Sequence, residues 1–235
     1  MTANKFGIDV DALTELYAQS RAKQGEALRR ATEEATVRAL QGRELTLKTI
    51  RDVLKVVTQA ASSGTAQNTT GVNPDLLLTQ AVEGMDAAVR QAVEASRRAL
   101  SQFVEQGLSL QDKQLAKALD DIEKMGSALV DTIGKAAASA AQEGLRGPWG
   151  DSLAALQKQG SATGTAALDA TRQLTDRARQ MSRDGAALNQ RMARAFADHY
   201  ATLASGVLIG MSNALGSAPP PAPAAKPRSR RRAAA

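Results

Sequence analysis

The sequence predicts an all-α protein: an elongated bundle of long amphipathic helices that pack as helical hairpins in coiled-coil fashion. Alanine makes up about a fifth of the 235 residues, and aromatic residues make up 3%. Because alanine has the highest helix propensity but buries little apolar surface, this composition favours slender helices over a thick globular core. A sustained apolar repeat between Asn73 and Gly107, and opposite charges spaced four residues apart, support the same fold.

The first 63 residues are predicted to form an N-terminal helical segment. Asp9 or Asp11 can cap a first helix that runs to Leu40. A second helix follows Thr46, and its apolar face is formed by Leu47, Ile50, Leu54, Val57 and Ala61. The polar, glycine-bearing stretch 62–72 has no periodicity and is predicted to be a loop.

Residues 73–146 are predicted to form a central helical hairpin. Asn73 caps its first helix, and Pro74 takes the first helical position, where a missing N–H costs nothing. Apolar residues then recur at alternating steps of four and three, and the seam they form around the polar Ser96 is Leu78, Val82, Met85, Val89, Ala92, Ala99 and Phe103. At about 1.5 Å per residue this helix is roughly 50 Å long, so it requires other helices or a surface to lie against.

The second helix of the hairpin begins at a capping box, Ser109-Leu110-Gln111-Asp112, and is predicted to end near Ala141. Only a few residues connect the two helices, which predicts antiparallel packing. Opposite charges at i,i+4 spacing predict ion pairs along both helices: Asp86–Arg90, Glu94–Arg98, Asp120–Lys124 and Asp131–Lys135.

Residues 148–216 are predicted to form a C-terminal helical region. Pro148 opens a short helix, and the stretch Gly160–Thr165 is a break that separates it from a long last helix ending near Leu215. The stretch 217–235 is rich in proline and alanine and ends in a basic cluster, so it is predicted to be a disordered tail.

The sequence carries no pattern that predicts an enzyme, a metal site or a cofactor site. His199 is the only histidine and the chain has no cysteine, so a zinc site and a histidine-based triad both lack their partners. The Gly160–Thr165 stretch lacks the Lys-Ser/Thr ending of a phosphate-binding loop, and it is predicted to be a hinge. Trp149 is predicted to anchor a helix junction. One acidic run is expected on a solvated helix face: Asp120, Asp121 and Glu123.

The most apolar stretch lies between Tyr200 and Leu215 and is the predicted binding segment. Small residues recur there every four positions, and Gly206 and Gly210 are predicted to let another helix approach closely. The predicted surface- or partner-binding residues are Leu203, Val207, Leu208, Met211 and Leu215. The stretch spans about 24 Å, which is short of a bilayer core. Three interpretations stay open: packing on the other helices, self-association into a homo-oligomer, and docking on a hydrophobic body.

Positive charge is concentrated in the tail. The formal net charge of the chain is +6, but the body before residue 226 has 25 basic and 24 acidic residues. The other five charges belong to Lys226, Arg228, Arg230, Arg231 and Arg232. A flexible cluster of this kind predicts salt-sensitive, sequence-independent attraction to DNA or to another anionic surface, and a purely solubilising role stays open.

The cysteine-free, alanine-rich helical body and the tail Ala218–Arg228, with the sequence APPPAPAAKPR, together resemble the bacterial phasins. Phasins coat intracellular polyhydroxyalkanoate storage granules. The resemblance covers most of the chain in composition and pattern, and it assigns no site residue. It implies a cytosolic, non-enzymatic role at the granule surface or between granule and nucleoid. The chain departs from that family in its small number of large apolar and aromatic residues.

The leading functional prediction is a non-enzymatic, phasin-like protein that coats or scaffolds storage granules through amphipathic helices. Its expected partners are a hydrophobic granule surface or other helical proteins, and no small-molecule substrate is expected. One alternative is a nucleoid-associated helical protein that binds DNA through the basic tail. Another is a membrane-interacting helical protein that uses residues 200–215. The lack of cysteine and of an apolar N-terminal leader predicts a cytoplasmic location.

Overall fold

The computed structural model describes residues 6–41, 43, 45–105, 113–139, 143–184, 200, 203–204, 206–209 and 211. Within these residues the all-α class is confirmed, with two short 3-10 turns, Ala22–Gln24 and Glu143–Leu145, and seven α-helices. The helices are α1 (Val10–Gln19), α2 (Gly25–Leu40), α3 (Leu47–Ala66), α4 (Pro74–Glu105), α5 (Lys113–Ser139), α6 (Arg146–Gln159) and α7 (Ala162–Asp184). None of these helices combines the length and the apolarity that crossing a bilayer requires.

The central helix α4 begins where the sequence predicts. It starts at Pro74, and the side chain of Asn73 accepts a hydrogen bond of 2.9 Å from the amide of Asp75. Every member of the predicted seam is buried. Burial extends well beyond the seam, to Leu77, Ala81, Ala88, Val93, Ala95, Leu100 and Val104. The helix is therefore surrounded on several sides, and the predicted narrow seam understates its buried face.

Helices α2, α3, α5, α6 and α7 all contact α4, and α2 and α7 share the most extensive contacts with it. Along α2 and α4 the neighbouring residues are Gly25 and Gln80, Arg29 and Gly84, and Glu33 and Gln91. Along α4 and α7 they are Asp86 and Ser161, Arg97 and Gln173, and Glu105 and Arg177. Because residue numbers rise together along each pair, both α2 and α7 run parallel to α4.

The prediction of one helix from Asp9 to Leu40 is wrong, because the chain breaks after α1. Asp9 does cap α1, with its carboxylate accepting a 2.9 Å hydrogen bond from the amide of Ala12. The carbonyl of Ser20, which ends the helix, accepts hydrogen bonds from the side chains of Asn68 and Thr70, at 3.0 and 2.7 Å. These donors lie about 50 residues away, so no local pattern announces the break.

The predicted loop 62–72 is shorter than expected, because α3 continues to Ala66. Gly64 faces α1 so closely that a Cβ built there would lie 2.2 Å from the carbonyl oxygen of Thr14. Ser62 is buried and accepts a 3.0 Å hydrogen bond from the indole N–H of Trp149. Trp149 is thus an anchor, as predicted, but it joins α6 to α3 rather than two neighbouring segments. Polar and glycine residues here serve close packing inside the bundle.

Three helix crossings use glycine to bring backbones together. Besides Gly64 on α3, Gly84 of α4 lies against α2, where an added Cβ would be 2.5 Å from the carbonyl oxygen of Arg29. Gly126 of α5 meets Gly164 of α7, and a Cβ at Gly126 would lie 3.2 Å from the Gly164 Cα. One contiguous core of buried side chains joins these helices and extends from Phe6 to Leu208.

Candidate functional site

The predicted binding segment is helical at each of its described positions, Tyr200, 203–204, 206–209 and Met211. Ala204 and Leu208 are fully buried and belong to the core. Leu203 is 38% exposed, and Val207 and Met211 are partly buried against the core. Leu203, Val207 and Met211 follow each other at intervals of four residues, so they form a stripe along one side of the helix.

Two predicted roles in this segment need correction. Leu208 was expected to contact an external partner, but it is buried inside the bundle. Gly206 was expected to let another helix approach closely, but it is exposed, and an added Cβ would meet no neighbouring atom within 4 Å. Within the described residues, close approach occurs instead at Gly64, Gly84 and Gly126. Gly210 and Leu215 lie outside the described residues.

Two buried hydroxyl groups lie where this segment meets the central helix. Ser96, the polar member of the α4 seam, is fully buried, and the hydroxyl oxygen of Tyr200 is buried as well. Burial raises the pKa of Tyr200 to about 12, and the nearby Ser96 hydroxyl offsets part of that rise. The polar position in the seam thus faces a tyrosine of the predicted binding segment.

The N-terminus of α7 is held by a carboxylate from another helix. Asp86 of α4 is 5% exposed, and its two carboxylate oxygens accept hydrogen bonds from the Ser161 hydroxyl and from the amides of Ala162 and Thr163, at 2.6, 2.7 and 3.1 Å. The Thr163 hydroxyl donates in turn to the Asp86 backbone carbonyl at 2.8 Å. A negative charge at this position also interacts favourably with the dipole of α7.

This arrangement bears on two predictions, the break between helices at Gly160–Thr165 and the ion pair of Asp86 with Arg90. The stretch Gly160–Thr165 does separate two helices, and Gly160, with φ of +86°, ends α6. The amides of Ala162 and Thr163 in this stretch donate hydrogen bonds to a carboxylate of the same chain, that of Asp86. The predicted ion pairs Asp86–Arg90 and Glu94–Arg98 are both wrong, because Arg90 pairs with Glu94 at 3.1 Å.

The acidic run on α5 divides into two environments. Asp120 forms the predicted ion pair with Lys124, and both side chains are about half exposed. Asp121 is partly buried, and this burial raises the pKa of its carboxyl group. Among the described residues no group of acidic, histidine or cysteine side chains is arranged to hold a metal ion. His199 lies outside them.

Two open grooves on the described surface carry charges of both signs. One groove of about 560 Å³ runs between α4 and α7 and is lined by Arg90, Glu94, Arg97, Asp169 and Gln173 among others. A second groove of about 420 Å³ between α3 and α5 is lined by Arg51, Asp52, Lys55, Asp131 and Lys135 among others. The five basic tail residues lie outside the described part of the chain, and the prediction for them stays a prediction.

Sequence reasoning missed the residues that fix α7, namely Asp86, Ser161 and Thr163, and the crossings at Gly64, Gly84 and Gly126. One signal was present: Asp86 follows Gly84 and Met85 within the most regular apolar stretch, where a carboxylate facing the core requires donors. The identity of those donors depends on the tertiary packing of α7.

The comparison with protein families identifies a similar group of sequences. The model described as "Family of unknown function (DUF6781)" matches residues 3–217. The match includes all seven helices and ends where the Pro/Ala-rich tail begins. No curated protein and no solved structure matches the chain.

Proposed function

We propose that this chain, which belongs to the DUF6781 family of unknown function, is a non-enzymatic, phasin-like protein that coats or scaffolds intracellular storage granules in the cytoplasm. The observation that supports the proposal most directly is the stripe of Leu203, Val207 and Met211. Its residues are apolar, lie at intervals of four along a helix, and are open to solvent on one side. Such a stripe can bury further apolar area when the helix lies on a hydrophobic surface.

The free energy available from the stripe is modest. Apolar burial contributes about 25 cal/mol per Å², so the exposed parts of three side chains give on the order of 1–3 kcal/mol. A single stripe therefore supports weak, reversible attachment, and stable coating requires several copies or additional helix faces. Both conditions fit a protein that covers a large surface at high density.

Flotation of the full chain with polyhydroxybutyrate particles tests the proposal. The wild-type protein is expected to float with the particles, and Leu203→Glu is expected to lower the bound fraction severalfold. Leu76→Glu is the matched control, because Leu76 on α4 is 39% exposed and lies outside the stripe. If wild-type protein stays in the aqueous fraction at low salt, the granule proposal fails. The same assay with liposomes in place of the particles tests the alternative in which the protein binds membranes.

The charge distribution favours one second candidate, a nucleoid-associated protein that holds DNA through its tail. Five of the six net positive charges lie between residues 226 and 232. Gel-shift assays of the full chain and of a chain without residues 226–232, at two salt concentrations, distinguish this function from granule coating. A shift that needs the tail and weakens with salt supports DNA binding.

A further inference from the structure

Helix α7 is attached to the bundle unevenly along its length. Its fully buried apolar positions follow helical spacing and are Ala167, Ala170, Leu174 and Ala178. Only Leu174 among them is large, and the other large apolar side chain of the distal part, Met181, is only partly buried against the core. The buried face of α3, by contrast, carries Ile50, Val53, Leu54 and Val57. Since burial free energy scales with apolar area, α7 gains much less from its contact with α4 and α5 than α3 gains from the core.

The polar contacts of the distal part of α7 add little. Arg177 pairs with Glu105 of α4, but both side chains are about half exposed, and the Arg97–Gln173 hydrogen bond is also exposed. Exposed pairs of this kind contribute weakly to stability. The buried hydroxyl of Thr171 finds no hydrogen-bond partner in the described structure, which opposes burial of this part of the helix.

The first turn of α7 is attached much more firmly. The hydrogen bonds between Asp86 and the turn Ser161–Thr163 are buried or partly buried. Near this turn Gly126 allows α5 to approach the backbone of Gly164. Gly160 precedes this turn in the left-handed region of backbone space, which favours glycine, and it separates α7 from α6.

We propose that α7 is a hinged cover, whose first turn stays fixed on Asp86 while the part beyond Ala170 detaches from α4 and α5. Detachment exposes the apolar faces of α4 and α5 that α7 buries. The partner suited to those faces is a hydrophobic aliphatic surface. This choice of partner rests on the proposed granule-coating function. The hinge itself is a property of the chain and is measured without any particle.

Hydrogen exchange of the full chain, followed by mass spectrometry, measures the hinge. Amides of 172–184 are expected to exchange at least ~10-fold faster than those of α3 and α4, while amides of 164–167 stay protected. Uniform protection along α7, equal to that of α4, would overturn the hinge. Equal loss of protection at both ends of α7 would overturn the fixed first turn.

A reversible cross-link tests whether opening serves surface binding. The chain has no cysteine, so Glu105→Cys with Arg177→Cys provides a single pair that a cleavable bismaleimide can join across α4 and α7. The locked protein is expected to bind polyhydroxybutyrate particles at least ~10-fold less than the same protein after cleavage of the linker. A matched control pair lies within α2, at the exposed positions Glu26 and Arg30.

The outcomes distinguish the two proposals. Fast exchange in distal α7 without any particle binding by the wild type supports the hinge and refutes granule coating. Particle binding with uniform exchange, or with equal binding by locked and released protein, supports coating and overturns the hinge as its route.

Discussion

At the scale of single residues, Asp86 shows how one carboxylate connects two helices through Ser161, a residue 75 positions away in the sequence. A buried carboxylate is unfavourable unless its oxygens are hydrogen-bonded, and the first turn of α7 supplies donors for both oxygens. Two of those donors, the amides of Ala162 and Thr163, are groups that a helix N-terminus leaves without an intrahelical partner. Each side of the contact therefore satisfies the other.

Replacing Asp86 with alanine is expected to lower the free energy of unfolding by about 2–3 kcal/mol, because a cap and its dipole interaction are lost. Asp120→Ala is the control, since it removes an exposed carboxylate paired within its own helix and is expected to cost less than about 0.5 kcal/mol. Guanidinium denaturation followed by circular dichroism measures both. Equal effects of the two substitutions would show that the Asp86 contact contributes nothing specific.

Tyr200 predicts how stability depends on alkaline pH. Its phenol has a pKa of about 12 in the folded protein, compared with 10.0 as the ordinary value. Between these pH values the unfolded chain loses the proton while the folded chain keeps it, so stability falls as pH rises from 10 to 12. The full fall amounts to about 3 kcal/mol from this residue.

Tyr200→Phe is expected to remove that part of the pH dependence, and denaturation at pH 9, 10, 11 and 12 measures it. Tyr17 contributes in the same direction, because burial raises its pKa as well, so the variant keeps a smaller slope. The same slope in variant and wild type would contradict a buried, neutral Tyr200.

At the scale of elements, helix crossings depend on glycine where two backbones meet. Gly84→Ala places a methyl group against the carbonyl oxygen of Arg29 and is expected to cost about 3 kcal/mol, because backbone must move. Gly150→Ala is the matched control within α6, where a Cβ meets no neighbouring atom within 4 Å. It is expected to stabilise the protein by about 0.5–1 kcal/mol through helix propensity. Thermal unfolding measures whether each substitution lowers or raises the stability of the protein.

The same elements show what the sequence could and could not predict. The start of α4 at Pro74 and the burial of its seam were predictable, because capping and apolar spacing act within the helix itself. The break after Gln19 was not, because Asn68 and Thr70 bind the Ser20 carbonyl from a distant part of the chain. In the predicted binding segment, the sequence marks Leu203 and Leu208 as candidate partner-binding residues. It does not show that the core covers Leu208 and leaves Leu203 exposed. That choice depends on how the other helices pack.

At the scale of the whole molecule, charge and core occupy different parts of the chain. The apolar core extends through all seven helices, while the part of the chain before residue 226 is nearly neutral. A neutral body attracts polyanions weakly, so any strong attraction must come from the tail. The family match ends at residue 217, so the tail lies beyond the part that the family shares.

This separation predicts how DNA binding responds to salt. Each phosphate contact contributes a slope of about −0.9 to log K against log salt, so five tail charges give at most about −4.5. Deletion of residues 226–232 is expected to reduce the slope to near zero. Deletion of 218–224, which has the same length and no charge, is expected to leave it unchanged. Fluorescence anisotropy with a labelled duplex at four salt concentrations measures the slope. If both deletions retain the slope of the full chain, the phosphate contacts come from the helical body, and the basic tail is not the DNA-binding element.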